Sequence, residues 1–295
     1  MVTAYEATVR HTGLSFGESP RWHDGRLWFS DFYRRGIYSL GDDGERVEHD
    51  VDLQPSGLGW MQHGTLLAVS MIDRTVIAIS PDGTVPPHAD IHEHCGYWAN
   101  DMVVAQDGTA YVGNFGFQLD TWVEEHGAEA LLGEPGPPRT NLVVVAPDGS
   151  VRQVVADLAF PNGMVLSEDG ATLVVAETMG QRLTAFDVAA DGTLSGRRTF
   201  AQLELVFCDG ICLDAEGQVW VANAAARECL RVADGGEVTA RLSTEKVSYA
   251  CMLGGEDRRT LYAITAPTSV ASVISTKREG QIEVAVVDVP GAGRP

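Results

Sequence analysis

The chain has 295 residues, 44% of them apolar, and a formal charge of −20. It is long enough for one large all-β domain or two ordinary domains, and too apolar for a disordered chain. Its negative surface repels nucleic-acid phosphates and anionic lipid, so neither nucleic acid nor membrane is an expected partner, whereas a divalent cation is compatible with it.

The first residues, "MVTAYEATVRHTG", show no long apolar run and no small-residue cleavage pattern, so no signal peptide is expected. No stretch approaches the roughly 18 apolar residues of a membrane span. Five scattered cysteines, Cys95, Cys208, Cys212, Cys229 and Cys251, are odd in number and form no CxxC pair. Reduced thiols in a cytoplasmic protein are the expectation, without a zinc site.

From Gly17 onward one pattern recurs: a polar or small residue, an apolar strand, a glycine-type turn and a second apolar strand. It appears as "GESPRWHDGRLWFSD" from Gly17, "PSGLGWMQHGTLLAVS" from Pro55 and "ANDMVVAQDGTAYVGN" from Ala99. It returns as "PNGMVLSEDGATLVVAE" from Pro161, "CDGICLDAEGQVWVAN" from Cys208 and "YACMLGGEDRRTLYAIT" from Tyr249. Further strand pairs such as "NLVVVAPDGSV" and "RLTAFDVAADGTL" lie between them. Each unit therefore holds about four short strands, and six units predict an all-β, six-bladed β-propeller with four antiparallel strands per blade. One domain over 1–295 is expected. The ring would be closed by pairing "YEATVR" near the start with "QIEVAVVDV" near the end. The long interval between the third and fourth units locates an insertion at 115–140, where the acidic run from Trp122 reads as a short helix. The tail 290–295 reads as flexible.

One position compared across the units gives Glu18, Ser56, Asn100, Asn162, Asp209 and Ala250. If this column starts the innermost strands, its side chains ring one mouth of the central channel. Four of the six offer carboxylate or carboxamide oxygens, a set that suits a hard cation, above all calcium. Zinc, manganese and magnesium are the alternatives. The pair Asn162-Gly163 leaves two readings open at this point: a local turn, or an amide oxygen presented to a ligand.

The pieces "GESPRW", "ND" at Asn100-Asp101, "FPNGM", "RLTAFD" and "DGICLDAEGQVWVA" together resemble the SMP-30/gluconolactonase/regucalcin-like family, over about Leu14 to Val289. The resemblance implies a metal-dependent hydrolase, usually a lactonase and so a carboxylic ester hydrolase, acting on a small-molecule lactone or ester. It implies that Glu18, Asn162 and Asp209 hold the metal, that Asp209 also serves as base, with Glu18 as the alternative, and that Asn100 contacts substrate or water. Sugar-lactone members carry an Arg where this chain has Trp98. "GNFGF" replaces another short segment and places Asn114, Phe115 and Phe117 near the same mouth. These departures predict a pocket drier than a sugar site, and a substrate less polar than an aldonolactone. An organophosphate triester hydrolase of the diisopropylfluorophosphatase kind and a non-enzymatic, calcium-stabilised binding propeller are the other readings. A monomer or weak homo-oligomer is expected.

Two other motifs read as ordinary. "HEHC" (His92 to Cys95) reads as a solvated loop, because one strand brings no fourth ligand. Ser19 stands in no G-x-S-x-G elbow and does not read as a nucleophile.

Overall fold

The computed structural model describes residues 2–80, 82–131, 133 and 136–294. Six antiparallel sheets stand around one axis. Their innermost strands are Gly17–His23, Pro55–Trp60, Ala99–Val104, Pro161–Leu166, Cys208–Leu213 and Val247–Gly254. Each packs on the next, and the sixth returns to the first. This is a six-bladed β-propeller, and each repeated unit of the sequence forms the inner half of one blade.

Apolar residues on both faces of every blade explain the ring. Each sheet must cover two faces, and does so against its two neighbours. Ile37 of blade 1 meets Leu58 and Ala68 of blade 2. Val103 and Tyr111 of blade 3 meet Met164 and Val175 of blade 4. Val165 and Leu183 of blade 4 meet Ile211 and Val221 of blade 5.

Both termini close the ring. Thr8–Leu14 forms the outer strand of blade 6, antiparallel to Gly280–Val286. Thr3–Glu6 does not join that pairing; it adds a parallel fifth strand to blade 5, beside Val238–Ser243. Within "YEATVR" the chain therefore passes from one blade to the next. The tail, expected to be flexible, is bonded over 290–294. Pro290 O accepts from Ala215 N at 2.9 Å, Ala292 N donates to Leu213 O at 3.0 Å, and Arg294 N donates to Leu166 O at 2.9 Å. The tail thus crosses the channel end opposite the oxygen column and ties blades 4, 5 and 6. A composition rich in Gly and Pro carries no trace of such backbone pairing.

A β-bulge recurs at the column position. In blades 2 to 5 the innermost strand carries one extra residue just where Ser56, Asn100, Asn162 and Asp209 stand, and blade 1 has its irregularity directly after Glu18. A bulge re-aims a side chain away from the sheet face, here toward the axis. Glycine follows the column residue in three blades because neighbouring strands press close. A Cβ on Gly57 would stand 2.5 Å from Met102 N, one on Gly163 2.5 Å from Asp209 O, and one on Gly210 2.6 Å from Ala250 Cβ. Asn162-Gly163 is thus no turn. Gly163 lies inside a strand and permits close approach, while Asn162 is turned to the channel.

The insertion contains helix α1, Leu119–His126, which begins three residues before Trp122. The Gln118 side chain caps it by accepting from Thr121 N, and it ends at Gly127 with φ 84°. Part of the insertion, residues 132, 134 and 135, lies outside the described residues. Among the described residues no helix is long and apolar enough to cross a membrane. All five cysteines are free and buried.

Candidate active site

Glu18, Asn100, Asn162 and Asp209 converge at the floor of one cavity of about 290 Å3. They are 6%, 5%, 4% and 7% exposed, so each is a polar group nearly removed from water. Such burial is costly unless the groups are bonded or hold a ligand.

A hydrogen-bond chain fixes their orientation. Thr178 Oγ1 donates its single proton to Cys208 O at 2.7 Å. It can therefore only accept from Asn162, whose Nδ2 stands at 3.1 Å. Asn162 Oδ1 is then turned toward the column, where Asn100 Nδ2 donates to it at 2.9 Å. Asn100 Oδ1 in turn accepts from Ser56 Oγ at 3.2 Å. Ser56, the column member without a carboxyl or amide, supports Asn100. Ala250, the sixth member, packs against Gly210.

The two carboxyls strain against each other. Burial pushes the Glu18 carboxyl well above its ordinary value of 4.5, and the charges of Asp209 and Asp101 push it further. Burial likewise lifts Asp209 well above 3.8, followed by the charge of Asp101, with hydrogen bonds from Asn162 and Gly210 pulling it back. Among the described residues neither forms an ion pair. Two buried carboxyls with two amide oxygens, neither carboxyl in an ion pair and only the Arg21 charge in the layer below pulling Glu18 down, are a donor set that a cation would complete.

Below them lies a second polar layer. Arg21 donates to Asp101 Oδ1 at 2.9 Å, to Met102 O at 2.6 Å and to Leu58 O at 2.9 Å, joining blades 1, 2 and 3. Ser19 Oγ donates to the same Asp101 Oδ1 at 2.5 Å and is fully buried, in keeping with its reading as no nucleophile.

Above the floor the wall is aromatic and aliphatic. Trp98 and Phe115 line it, with Phe16, Phe32, Phe160 and Phe207. Trp98 stacks on Tyr97 with ring centroids 4.9 Å apart. Phe160 has φ 61°, a backbone state that bulky residues avoid, and its ring rests on Phe115 at 4.6 Å.

Two of the predicted substrate residues stand elsewhere. Asn114 is fully buried and lies outside the cavity wall. Its Oδ1 accepts from Thr140 Oγ1 at 2.6 Å and Gly96 N at 3.2 Å, and its Nδ2 donates to Asn141 O at 2.7 Å. It belongs to a different repeat column. Asp31, Glu177 and Asn223 also end second strands and accept from backbone N–H groups just before their blade's innermost strand. Phe117 is 7% exposed and packs behind the wall, edge-on to Phe160 at 6.4 Å.

Several cavity residues escaped the sequence reading, and two of them stand beside the oxygen column. Thr178 follows a strand end and carries no motif. Tyr249 directly precedes the column's Ala250, in the blade that offers no oxygen ligand. Burial pushes its phenol up to about 12, with Asp209 and Glu18 adding to the rise, so it stays protonated near neutral pH. "HEHC" forms a single turn of 3-10 helix over His92–His94, followed by buried Cys95.

The SMP-30/Gluconolactonase/LRE-like family model matches residues 16–267. The chain belongs to this family. Regucalcin from Danio rerio is 32% identical over 267 residues, covering 85% of this chain and 82% of that protein. Regucalcin from Xenopus laevis is 25% identical over 278 residues, covering 88% and 86%. Among solved structures, the calcium-binding protein regucalcin from Agrobacterium tumefaciens superposes with a TM-score of 0.78 at 21% identity, covering 100% of this chain and 99% of that one. A gluconolactonase from Xanthomonas campestris gives 0.71 at 23%, covering 95% and 89%. At those identities the two structures speak for the fold alone.

Proposed function

We propose that the protein is a metal-dependent hydrolase, of calcium type, that opens a lactone or related cyclic ester less polar than an aldonolactone. The observation that carries this reading is the oxygen cluster of Glu18, Asn100, Asn162 and Asp209 at the floor of an apolar cavity. Membership of the SMP-30/gluconolactonase-like family supports its lactonase part; the aromatic wall alone supports a substrate of low polarity.

Glu18, Asn162 and Asp209 would hold the cation, whose charge, when bound, favours the carbonyl oxygen's gain of negative charge. Asn100 has an amide N–H beyond the one spent on Asn162, and this can orient the ester or the attacking water. Tyr249 keeps its proton and can donate to an oxygen that gains charge. Asp209 is placed to take the proton of the attacking water, with Glu18 as its alternate. The aromatic wall excludes bulk water, which strengthens each of these interactions.

The reading is tested on a panel of alkyl, aryl and sugar lactones, with calcium and with chelator. Calcium-dependent turnover of an apolar lactone is the expected result. Chelator-insensitive turnover, or no turnover of any lactone, would overturn it. A single turnover in labelled water should place label in the product first; label entering the protein first would instead mark a carboxylate nucleophile, as in the organophosphate reading.

Trp98→Arg is expected to shift kcat/KM toward gluconolactone relative to an aryl lactone by about ten- to a hundredfold, the worth of one good charged hydrogen bond. Initial rates corrected for spontaneous hydrolysis give the comparison. A parent that prefers the sugar lactone outright would show that Trp98 does not set the preference.

The raised carboxyls make the cation-free protein pH-sensitive. Because Glu18 and Asp209 are raised above 4.5 and 3.8, the folded state holds protons that the unfolded chain has already released. Their contribution to stability is fully present below those unfolded values and is lost as pH rises toward the folded ones. In chelator, the urea midpoint of the parent should therefore fall from about pH 4 upward relative to that of a Glu18→Gln, Asp209→Asn double variant, which shares every other titrating group. In saturating calcium this fall should shrink, and calcium affinity should rise with pH because binding expels protons. Parallel midpoint curves for the parent and the double variant in chelator would contradict the assignment.

A further inference from the structure

The cavity contains one charged group that the ester chemistry does not use. Asp120, in the first turn of α1, lines the same space as Glu18, Asn100, Asn162 and Asp209. It is half-buried, and among the described residues it takes part in no ion pair. Among the described residues no Lys, Arg or His lines the cavity. An acid in a first helical turn is favoured by the positive helix end, which accounts for Asp120 on α1 but not for its place on the cavity wall.

Its surroundings are aromatic. Tyr33, Tyr97 and Trp98 line the same cavity as Asp120. Both phenols are raised, first by burial and then by the Asp120 charge. Tyr97 stacks on Trp98, and Tyr33 meets Phe32 edge-on at 6.3 Å. The charges that raise Glu18 and Asp209 come instead from Asp101 and, for Glu18, from Asp209. Ring faces carry negative charge density, and rings beside a carboxylate suit a cation with an apolar skirt. A divalent cation held by Glu18 and Asp209 would balance those two charges and would leave Asp120 uncompensated.

We propose that the natural ligand carries a cationic group, a protonated amine or quaternary ammonium, held by Asp120 against Tyr33, Tyr97 and Trp98. This rests on the ester reading for the other end of the ligand. There, water adds across the ring C–O bond, the ring opens to a hydroxy acid that releases one proton, and the cationic group is unchanged.

The test uses two soluble isosteres, choline and 3,3-dimethylbutan-1-ol, titrated into the calcium-loaded protein by calorimetry and followed by tryptophan fluorescence. The parent should bind choline at least about tenfold more tightly. Asp120→Asn should close the gap to about twofold, and Asp120→Glu should keep part of it. Equal affinities in the parent, or a preference that survives Asp120→Asn, would overturn the proposal. So would choline binding that appears only in chelator and is lost on loading with calcium, because the cation would then sit among the metal ligands. Binding needs no turnover, so a protein that hydrolyses no lactone would overturn the ester reading and leave this result to stand or fall by itself. As a second readout, a trimethylammonium-bearing lactone should exceed its tert-butyl counterpart in kcat/KM, and Asp120→Asn should collapse that ratio.

Discussion

Asp209→Ala is expected to abolish calcium binding and to lower kcat/KM by at least about a thousandfold, while the protein still folds. The reason lies in where the residue stands. Asp209 faces the channel mouth from a bulge in an innermost strand and lines the cavity rather than an apolar core. Burial and the charge of Asp101 hold its carboxyl well above the ordinary range. The cation-free parent therefore carries a buried acid that it would be easier to lose. In chelator the variant should melt at or above the parent. With calcium at a hundred times its dissociation constant the parent should gain about 2.7 kcal/mol, or roughly 5–10 °C, and the variant nothing. Glu18→Gln, which keeps the shape and removes one charge, should act in the same direction. Calorimetry and thermal denaturation give both numbers. If Asp209→Ala shows the parent's calcium shift, the cation sits elsewhere.

The ring and its oxygen column were legible because both are repeated. Bulges at one position of the innermost strands bring Glu18, Asn100, Asn162 and Asp209 into a single column, so a comparison of units finds them. Asn114 shows where this fails. It too is a repeated polar residue near the same mouth, but its column serves backbone N–H groups at blade entry. Reading Asp31, Asn114, Glu177 and Asn223 together as strand ends would have marked it as structural. Phe117 lies one layer too deep for spacing alone to tell wall from support. Tyr249 and Thr178 stand at repeated positions, just before a column residue and just after a second-strand end, but the side chains at those positions differ from blade to blade, so no shared residue type marks them. Asp120 comes from the insertion and has no counterpart in another blade. The tail 290–294 was hidden because its bonds come from backbone groups, which any sequence possesses.

Asp101→Ala is the largest stability loss expected of a single substitution near the site, about 3–5 kcal/mol. Asp101 Oδ1 accepts from Arg21, from Ser19 Oγ and from Met102 N at 2.7 Å, and all of these groups are buried. Removing it leaves the Arg21 guanidinium 4% exposed without a counter-charge. That cost is a large share of the roughly 5–15 kcal/mol by which a domain is usually stable. A second effect should follow. Arg21 already pulls the Glu18 carboxyl down, and without Asp101 its charge is free to act on Glu18 and Asp209. Calcium affinity should therefore fall even in molecules that fold. Removing both charges as Arg21→Met with Asp101→Leu should recover most of the lost stability, because no unpaired ion remains. Urea denaturation in chelator compares the three proteins. A loss below about 1 kcal/mol for Asp101→Ala would mean that water reaches this layer. A double variant no more stable than the single one would mean that the layer matters for its hydrogen bonds across three blades and not for its charge balance.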